Sequence, residues 1–568
     1  MKAKKLISAL LLVAVAGTSV AAATAITGCK KSTGKTYYVA PDGKDDAKGT
    51  KNDPLSIYKL LHTTGVAEMD TLQAGDTVMV MPGDYEMEAG ERIIILTSGT
   101  YNKPITIKNA DPTKKATLKF YEMEFSSLNR GVQIYGDHFI WDGVDIAGAG
   151  DNGMYIGGSY NVVQNCEFYD NRDTGLQLGR SYSDYTNINQ WPHYNLIKNC
   201  TSYNNYDNET YGENADGFAA KLTVGYGNVF DGCIAYRNSD DGWDLYAKTD
   251  SGNIGQVIMY NCVAYENGFI MEPQQEFNKK FPKFKPAYEE AVTNSFTTRD
   301  GDGNGFKLGG STMEGEVLLE NCLSFHNRMH GVTDNSNPGV ITISGVTSYN
   351  NAASVNNNPT SQEFGYIMYG TTGADECGNI NLARHNYSYN HVANTLSVST
   401  ASNINVNADE YRGTVENSKL WGPNTTYTVS GQEEYNTKTG DYGTAGTMLV
   451  DTEVFKQIPA MNMGLSTTAH FDYRNEDGSL NMHDVLAQKD EASTYGSFVA
   501  KSKWEDYKHY DYVDLKKSKN ADEAVATAVE KMLYIPIRTE ACYQNFKAVT
   551  KMLKADISWA SADESVLK

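Results

Sequence analysis

The sequence predicts an all-β protein wound as a parallel β-helix solenoid, and two interleaved repeats with their residue types carry that prediction. The first is QNCEFYDN at 164–171, which returns as KNCTSYNN (198–205), DGCIAYRN (231–238), YNCVAYEN (260–267) and ENCLSFHN (320–327). A sixth copy, SGVTSYNN (344–351), has Val346 in place of the cysteine, and a degraded seventh lies at 385–391. The second repeat follows each asparagine: TGLQL (174–178), DGFAA (216–220), DGWDL (241–245), NGFKL (304–308) and HGVTD (330–334). Both repeats are short, β-branched and aromatic, and neither shows a 3.6-residue apolar period, so a helical solenoid is disfavoured.

Equivalent positions of successive coils stack as neighbouring strands ~4.7–4.9 Å apart, so a residue type that recurs at one repeat position becomes a column. Asn171, Asn205, Asn238, Asn267, Asn327 and Asn351 then form an asparagine ladder at a turn. Each amide can bond the backbone of the next coil, for about 0.5–1.5 kcal/mol per bond. Cys166, Cys200, Cys233, Cys262 and Cys322 form a buried column of small side chains and are expected as free thiols rather than disulfides. In the glycine repeat, period-two alternation sends Leu176, Phe218, Trp243, Phe306 and Val332 inward and Gln177, Ala219, Asp244, Lys307 and Thr333 outward. Gly217 and Gly242 are 25 residues apart and Gly305 and Gly331 are 26, but 63 separate Gly242 from Gly305, which locates a long loop at about 268–303.

Upstream, 36–46, a short helix near 55–61, and strands around 77–81 and 105–108 read as the start of the solenoid and its N-terminal cap, since an open end coil would template aggregation. Past about Lys489 the character changes to a short helical attachment, 521–533 and 540–553, whose default role is packing or capping.

The first residues read as an export signal: Lys2, Lys4 and Lys5 precede an apolar run from Leu6 to about Ala16 and a small-residue stretch ending in Ile26-Thr27-Gly28-Cys29. That ending resembles a bacterial lipobox, which implies cleavage before Cys29 and a lipid anchor on it. The division expected is therefore 1–28 signal, 29–35 tether, 36–488 β-helix and 489–568 extension, in a monomer held to a bacterial membrane only through its anchor and facing outward. A formal charge of −21 argues against nucleic acid as a partner and requires any acidic substrate to be met by a local positive site.

Stacking also assembles a charged cluster. Asp216 and Asp241 hold one position in successive coils, Asp240 and Asp244 flank Asp241, and Lys307 follows Asp244 one coil on. Four carboxylates in a partly buried site repel one another unless neutralised, and calcium, which takes six to eight oxygen ligands, is the obvious neutraliser. A lysine beside such a cation has its amine favoured and can act as a base. The same spacing also allows a plain Lys307–Asp244 salt bridge with the other aspartates as turn residues.

NADGFAAK (214–221), NSDDGWDLY (238–246) and NGFKLGG (304–310) resemble the signature segments of polysaccharide lyase family nine, the right-handed parallel β-helix pectate lyases. The resemblance spans about 36–488 and is strongest between Asn161 and Asn351. It implies the right hand of the helix, calcium bound by Asp216, Asp240, Asp241 and Asp244, and Lys307 as the base that removes the C5 proton of a galacturonate unit in a pectate (polygalacturonate) chain. Two other readings stand beside it: a polygalacturonase-type hydrolase using the aspartates, which leaves Lys307 without a role, and a non-catalytic surface carbohydrate-binding β-helix. DGDGNG (300–305) starts like an EF-hand loop, but Ser311 stands where the closing glutamate belongs, so it reads as a turn that delivers Lys307. Lys279, Lys280, Lys283 and Lys285 read as a solvated loop face in preference to a contact with a polyanionic substrate, and His330, in the Asp216/Asp241 column, as a polar turn residue.

Overall fold

The computed structural model describes residues 34–61, 72–207, 210, 212–271, 301–352, 389–398, 414–421, 451–459 and 473–500, together with short strands at 14–15, 366–368, 378–382, 403–408, 425–429, 551–552 and 555–558. The signal segment apart from 14–15, residues 29–33 of the tether with Cys29, the lysines of the long loop, and 521–533 lie outside the described residues. The chain divides into two compact units, Thr33–Lys508 and the two termini, Met1–Ser32 with His509–Lys568. In the second of these, Ala14–Val15, Ala555–Ser558 and Lys551–Met552 form a three-stranded antiparallel sheet. Lys551–Met552 falls within the helix expected at 540–553 and is a strand instead.

The described residues of the unit 33–508 build three parallel sheets that the chain visits in rotation. Sheet I has 12 strands from Thr36–Lys44 to Thr414–Glu416, sheet II has 11 from Gly83–Glu86 to Lys419–Trp421, and sheet III has 11 from Ile93–Ile95 to Thr425–Val429. The stretch expected to start the solenoid supplies its first strands: Thr36–Lys44, Thr77–Val80 and Ile105–Asn109 are neighbours in sheet I. A four-residue helix, Ile57–Leu60, packs Ile57 and Leu60 into the same core.

The columns arise from register. Leu176, Phe218, Trp243, Phe306 and Val332 pair in succession in sheet III and are all buried. Inside the coil, Phe218, Trp243 and Phe306 stack at 5.0 and 4.8 Å between ring centroids. The five repeat cysteines are free and buried, with Val144 before them and Val346 after them in the same core. The asparagine ladder is continuous: the Nδ2 groups of Asn171, Asn205, Asn238, Asn267 and Asn327 each donate to the Oδ1 of the next asparagine at 2.8–2.9 Å, and Asn351 passes the chain to Asn379 at 3.3 Å. Backbone amides donate to the same oxygens, as Asn171 N does to Asn205 Oδ1 at 3.0 Å. These bonds satisfy turn groups that burial would otherwise leave unpaired.

Two further columns complete the turns. Asn161, Asn195 and Asn228 make a second, shorter ladder between sheets III and I, with Asn195 Nδ2 donating to Asn228 Oδ1 at 2.9 Å. The turn from sheet I to sheet II needs one residue with positive φ, and asparagine or glycine fills it each time, at Asn165, Asn199, Gly232, Asn261, Asn321 and Gly345. The ends of the long loop meet where Gly268 and Gly303 lie back to back: a Cβ on either would come within 2.5 Å of the other's Cα.

Candidate active site

The site sits on the outer face of sheet III where successive coils carry unlike residues. Ala219, Asp244, Lys307 and Thr333 are register neighbours on that face, so Lys307 stands one coil beyond Asp244, where the repeat spacing put it. Just before each strand runs a polar column, Thr174, Asp216, Asp241, Asn304 and His330. Its members are linked in turn: Thr174 Oγ1 donates to Asp216 Oδ2 at 3.1 Å, Asp241 N to Asp216 Oδ1 at 3.2 Å, Asn304 N to Asp241 Oδ1 at 2.6 Å, and His330 N to Asn304 Oδ1 at 3.1 Å. His330 thus takes part through its backbone amide.

Asp216, Asp241 and Asp244 converge, each offering a carboxylate oxygen within 4.8 Å of the others, and all three are buried. Asp240 is buried beside them, but its two oxygens accept backbone amides, from Asn214 at 2.8 Å and from Asp302. It therefore ties two loops together at the edge of the triad. Two ammonium groups face the acids. Lys307 Nζ lies 3.1 Å from Asp241 Oδ2, 3.1 Å from Asp302 Oδ2 and 4.0 Å from Asp244 Oδ1. Lys221 Nζ lies 2.7 Å from Asp216 Oδ2 and 3.2 Å from Asp244 Oδ2.

Burial is the largest influence on Asp216, Asp240 and Asp241, and together with the neighbouring acids it outweighs the lysines. It pushes Asp216 and Asp241 well above the usual carboxylate range and Asp240 upward as well. One coil earlier, burial beside Asp151 pushes Asp173 up to about 7. For Lys307, burial pulls the ammonium down, but Asp241, Asp244, Asp302 and Asp240 more than reverse it, and the net direction is strongly up. A cation held by those carboxylates would offset their field and favour the neutral amine.

The residues present fit a hard divalent cation. The donor set is all oxygen, and among the described residues five aspartates face two lysines and buried Asp241 Oδ2 receives no well-directed hydrogen bond although Lys307 is near. A metal held by Asp216, Asp241 and Asp244, with Asp240 adjoining, would offset the mutual repulsion of these carboxylates.

Reading the sequence missed three members of this cluster. Lys221 closes the segment NADGFAAK, and carrying the alternation two residues past Ala219 would have placed it outward. Asp302 was absorbed into a glycine-rich turn, which does deliver Lys307 but also brings a carboxylate to it. Asn304 fills the position that Asp216 and Asp241 hold in earlier coils.

The family described as Pel9A-like, right handed beta helix region, matches residues 37–370. Pectate lyase L of Paenibacillus polymyxa (strain SC2) is 40% identical over 290 residues, which covers 51% of this chain and 59% of that protein. Pectate lyase L of Thermoclostridium stercorarium is 37% identical over 323 residues, 56% of this chain and 23% of the relative. The chain thus spans less than two thirds of either curated relative. The crystal structure of pectate lyase Pel9A superposes with a TM-score of 0.53 at 26% identity, covering 81% of this chain and 90% of that one. With three parallel sheets, an asparagine ladder and a match over more than half its length, the chain belongs to the Pel9A-like right-handed β-helix family.

Proposed function

We propose that this chain is a calcium-dependent pectate lyase that cleaves polygalacturonate by β-elimination, with Lys307 as the base and Asp216, Asp240, Asp241 and Asp244 as the metal-binding acids. The observation that carries the reading is the placing of Lys307 Nζ beside a convergent, buried, all-oxygen acid cluster on one outward face. The names of the curated relatives support the same chemistry.

Bound calcium would balance the charge of the substrate carboxylate and so make the neighbouring C5 proton acidic enough to be removed. Lys307 takes that proton as a neutral amine. The C5–H electron pair becomes the C4–C5 double bond, the C4–O bond breaks, and the oxygen departs with the other half of the chain, protonated from solvent. Because the surrounding acids hold Lys307 charged, it serves as a base only once their charge is neutralised. Lys221 holds Asp216 and Asp244 in place, while Asp240 pins the loops that carry Asn214 and Asp302. The proposal includes export through 1–28, a lipid anchor on Cys29, and a lyase domain over 36–488 followed by an extension, supported by the sequence signals described above.

The test is ultraviolet absorbance of unsaturated product from polygalacturonate, with calcium or excess chelator, for the wild type and Lys307→Ala. Calcium-dependent absorbance that vanishes in the variant supports elimination and its base. New reducing ends without unsaturation would make the protein a hydrolase, and no turnover would favour a binding protein.

A further inference from the structure

Resting on the pectate reading, we infer that the outer face of sheet III continues, toward the N-terminal coils, into a second binding site: a tyrosine–arginine cradle that holds uronate rings of the same chain several sugars from the scissile bond. Gln133, Tyr155, Gln177, Ala219 and Asp244 are successive register partners on this face. Three strand steps separate Tyr155 from Asp244, about 14 Å. A single sugar at the acid cluster cannot reach that far, whereas an extended chain lying along the stack passes over both.

The cradle is built for such a chain. The Arg130 guanidinium lies 3.8 Å over the centre of the Tyr155 ring, and its Nε donates to Asp151 Oδ2 at 3.1 Å. It is therefore a fixed cation on a side chain that is 25% exposed, of a type suited to a carboxylate. Tyr135 meets Tyr155 edge-on at 6.4 Å and Tyr182 at 5.6 Å. Tyr182 is 45% exposed, which leaves ring surface open for a sugar to stack upon. Beneath them Gln133 is 5% exposed. Tyr135 Oη donates to Gln133 Oε1 at 2.9 Å, but Nε2 has no hydrogen-bond partner among the described residues. Buried under the rings, the Gln133 amide orients Tyr135 and lies out of a ligand's direct reach. In a chain of net charge −21, Arg130 beside Asp151, with Arg92 and Arg180 near enough to act on Tyr135 and Tyr155, supplies the positive charge a polyanion needs in line with the acid cluster.

Two measurements on the full chain test this. The first is retardation in native gels containing polygalacturonate, with chelator present so that no cleavage occurs, for the wild type, Tyr182→Ala and Arg130→Gln. The second is the ratio of kcat/KM on polygalacturonate to kcat/KM on trigalacturonate. The cradle predicts that Tyr182→Ala, at an exposed position that does not threaten folding, weakens retardation and lowers the ratio about fivefold to tenfold through KM. Arg130→Gln should do the same. Wild-type protein that cleaves polygalacturonate while both variants keep its ratio and retardation overturns the cradle and leaves the lyase standing. Retardation that the variants lose, with no unsaturated product from the wild type, refutes the lyase and supports the cradle.

Discussion

Two outer faces of one solenoid make opposite use of the repeat. On sheet II the outward position is aromatic in coil after coil, and Tyr169, Tyr203, Tyr236, Tyr265 and Phe325 stack at 4.9–5.1 Å with planes within 10°. That face is covered: Phe455, Tyr473, Leu480, Met482, Val485 and Leu486 pack on the column, and the Arg474 guanidinium bonds Thr201 Oγ1 at 2.8 Å and Cys200 O at 2.7 Å. On sheet III the outward position changes at every coil, from Tyr155 through Gln177, Ala219 and Asp244 to Lys307. Uniform columns gain the same contact many times over and become structure. Where the column is broken, unlike groups meet, and chemistry becomes available at the expense of regular packing.

The contrast is sharpest at Lys307. Lys307→Ala should lower product formation by about 10²–10⁴-fold, measured by absorbance with calcium saturating. A variant that kept a tenth of the wild-type rate would remove Lys307 from the role of base. On the uniform face the largest effect belongs to folding, since Tyr236 is buried between two ring neighbours. Tyr236→Ala should cost about 3–4 kcal/mol by urea denaturation, with the rate per folded molecule unaltered.

Calcium should stabilise only through the irregular face. At a free concentration near 100 times its Kd it should add about 2.7 kcal/mol, read as a rise in Tm by calorimetry that Asp216→Asn with Asp241→Asn abolishes. A Tm indifferent to calcium would sink the metal assignment. In the ladder, Asn238 accepts from Asn205 Nδ2 and donates to Asn267 Oδ1. Asn238→Ala leaves buried partners unpaired and should cost about 2 kcal/mol, again by denaturation. The smallest effect is expected at Cys233, where Cys233→Val, copying the residue at Val346, should change stability by under about 1.5 kcal/mol. Burial pushes the Cys233 thiol up, so a thiol reagent should label it only after unfolding.

The fold was largely legible because a solenoid's contacts are set by a repeat length. Once Asn171 and Asn205 are recognised as equivalent, their neighbourhood follows without knowledge of distant chain, and so do the cysteine column and the inward Phe218, Trp243 and Phe306. The second ladder was as visible in principle, in the segments around Asn161, Asn195 and Asn228, but three copies stand out less than six. Of the site, the same logic placed Asp216 beside Asp241 and Lys307 beside Asp244. It could have placed Lys221, one residue past the strand Phe218–Ala220, had the alternation been carried on, but not Asp302, which lies in a turn where no repeat fixes the direction of a side chain.

By itself, then, the sequence determined the coil, its register and which residues share a column, because those depend on spacing along the chain and on the two-residue alternation of a strand. Only the tertiary structure decided how charges balance within the columns. It pairs Lys221 with Asp216 and Asp244, uses both oxygens of Asp240 on backbone amides, and brings Asp302 to Lys307. Those outcomes rest on loop paths and on burial, which sets the strength of every charge–charge interaction and is a property of the folded surroundings rather than of any residue's position in the sequence.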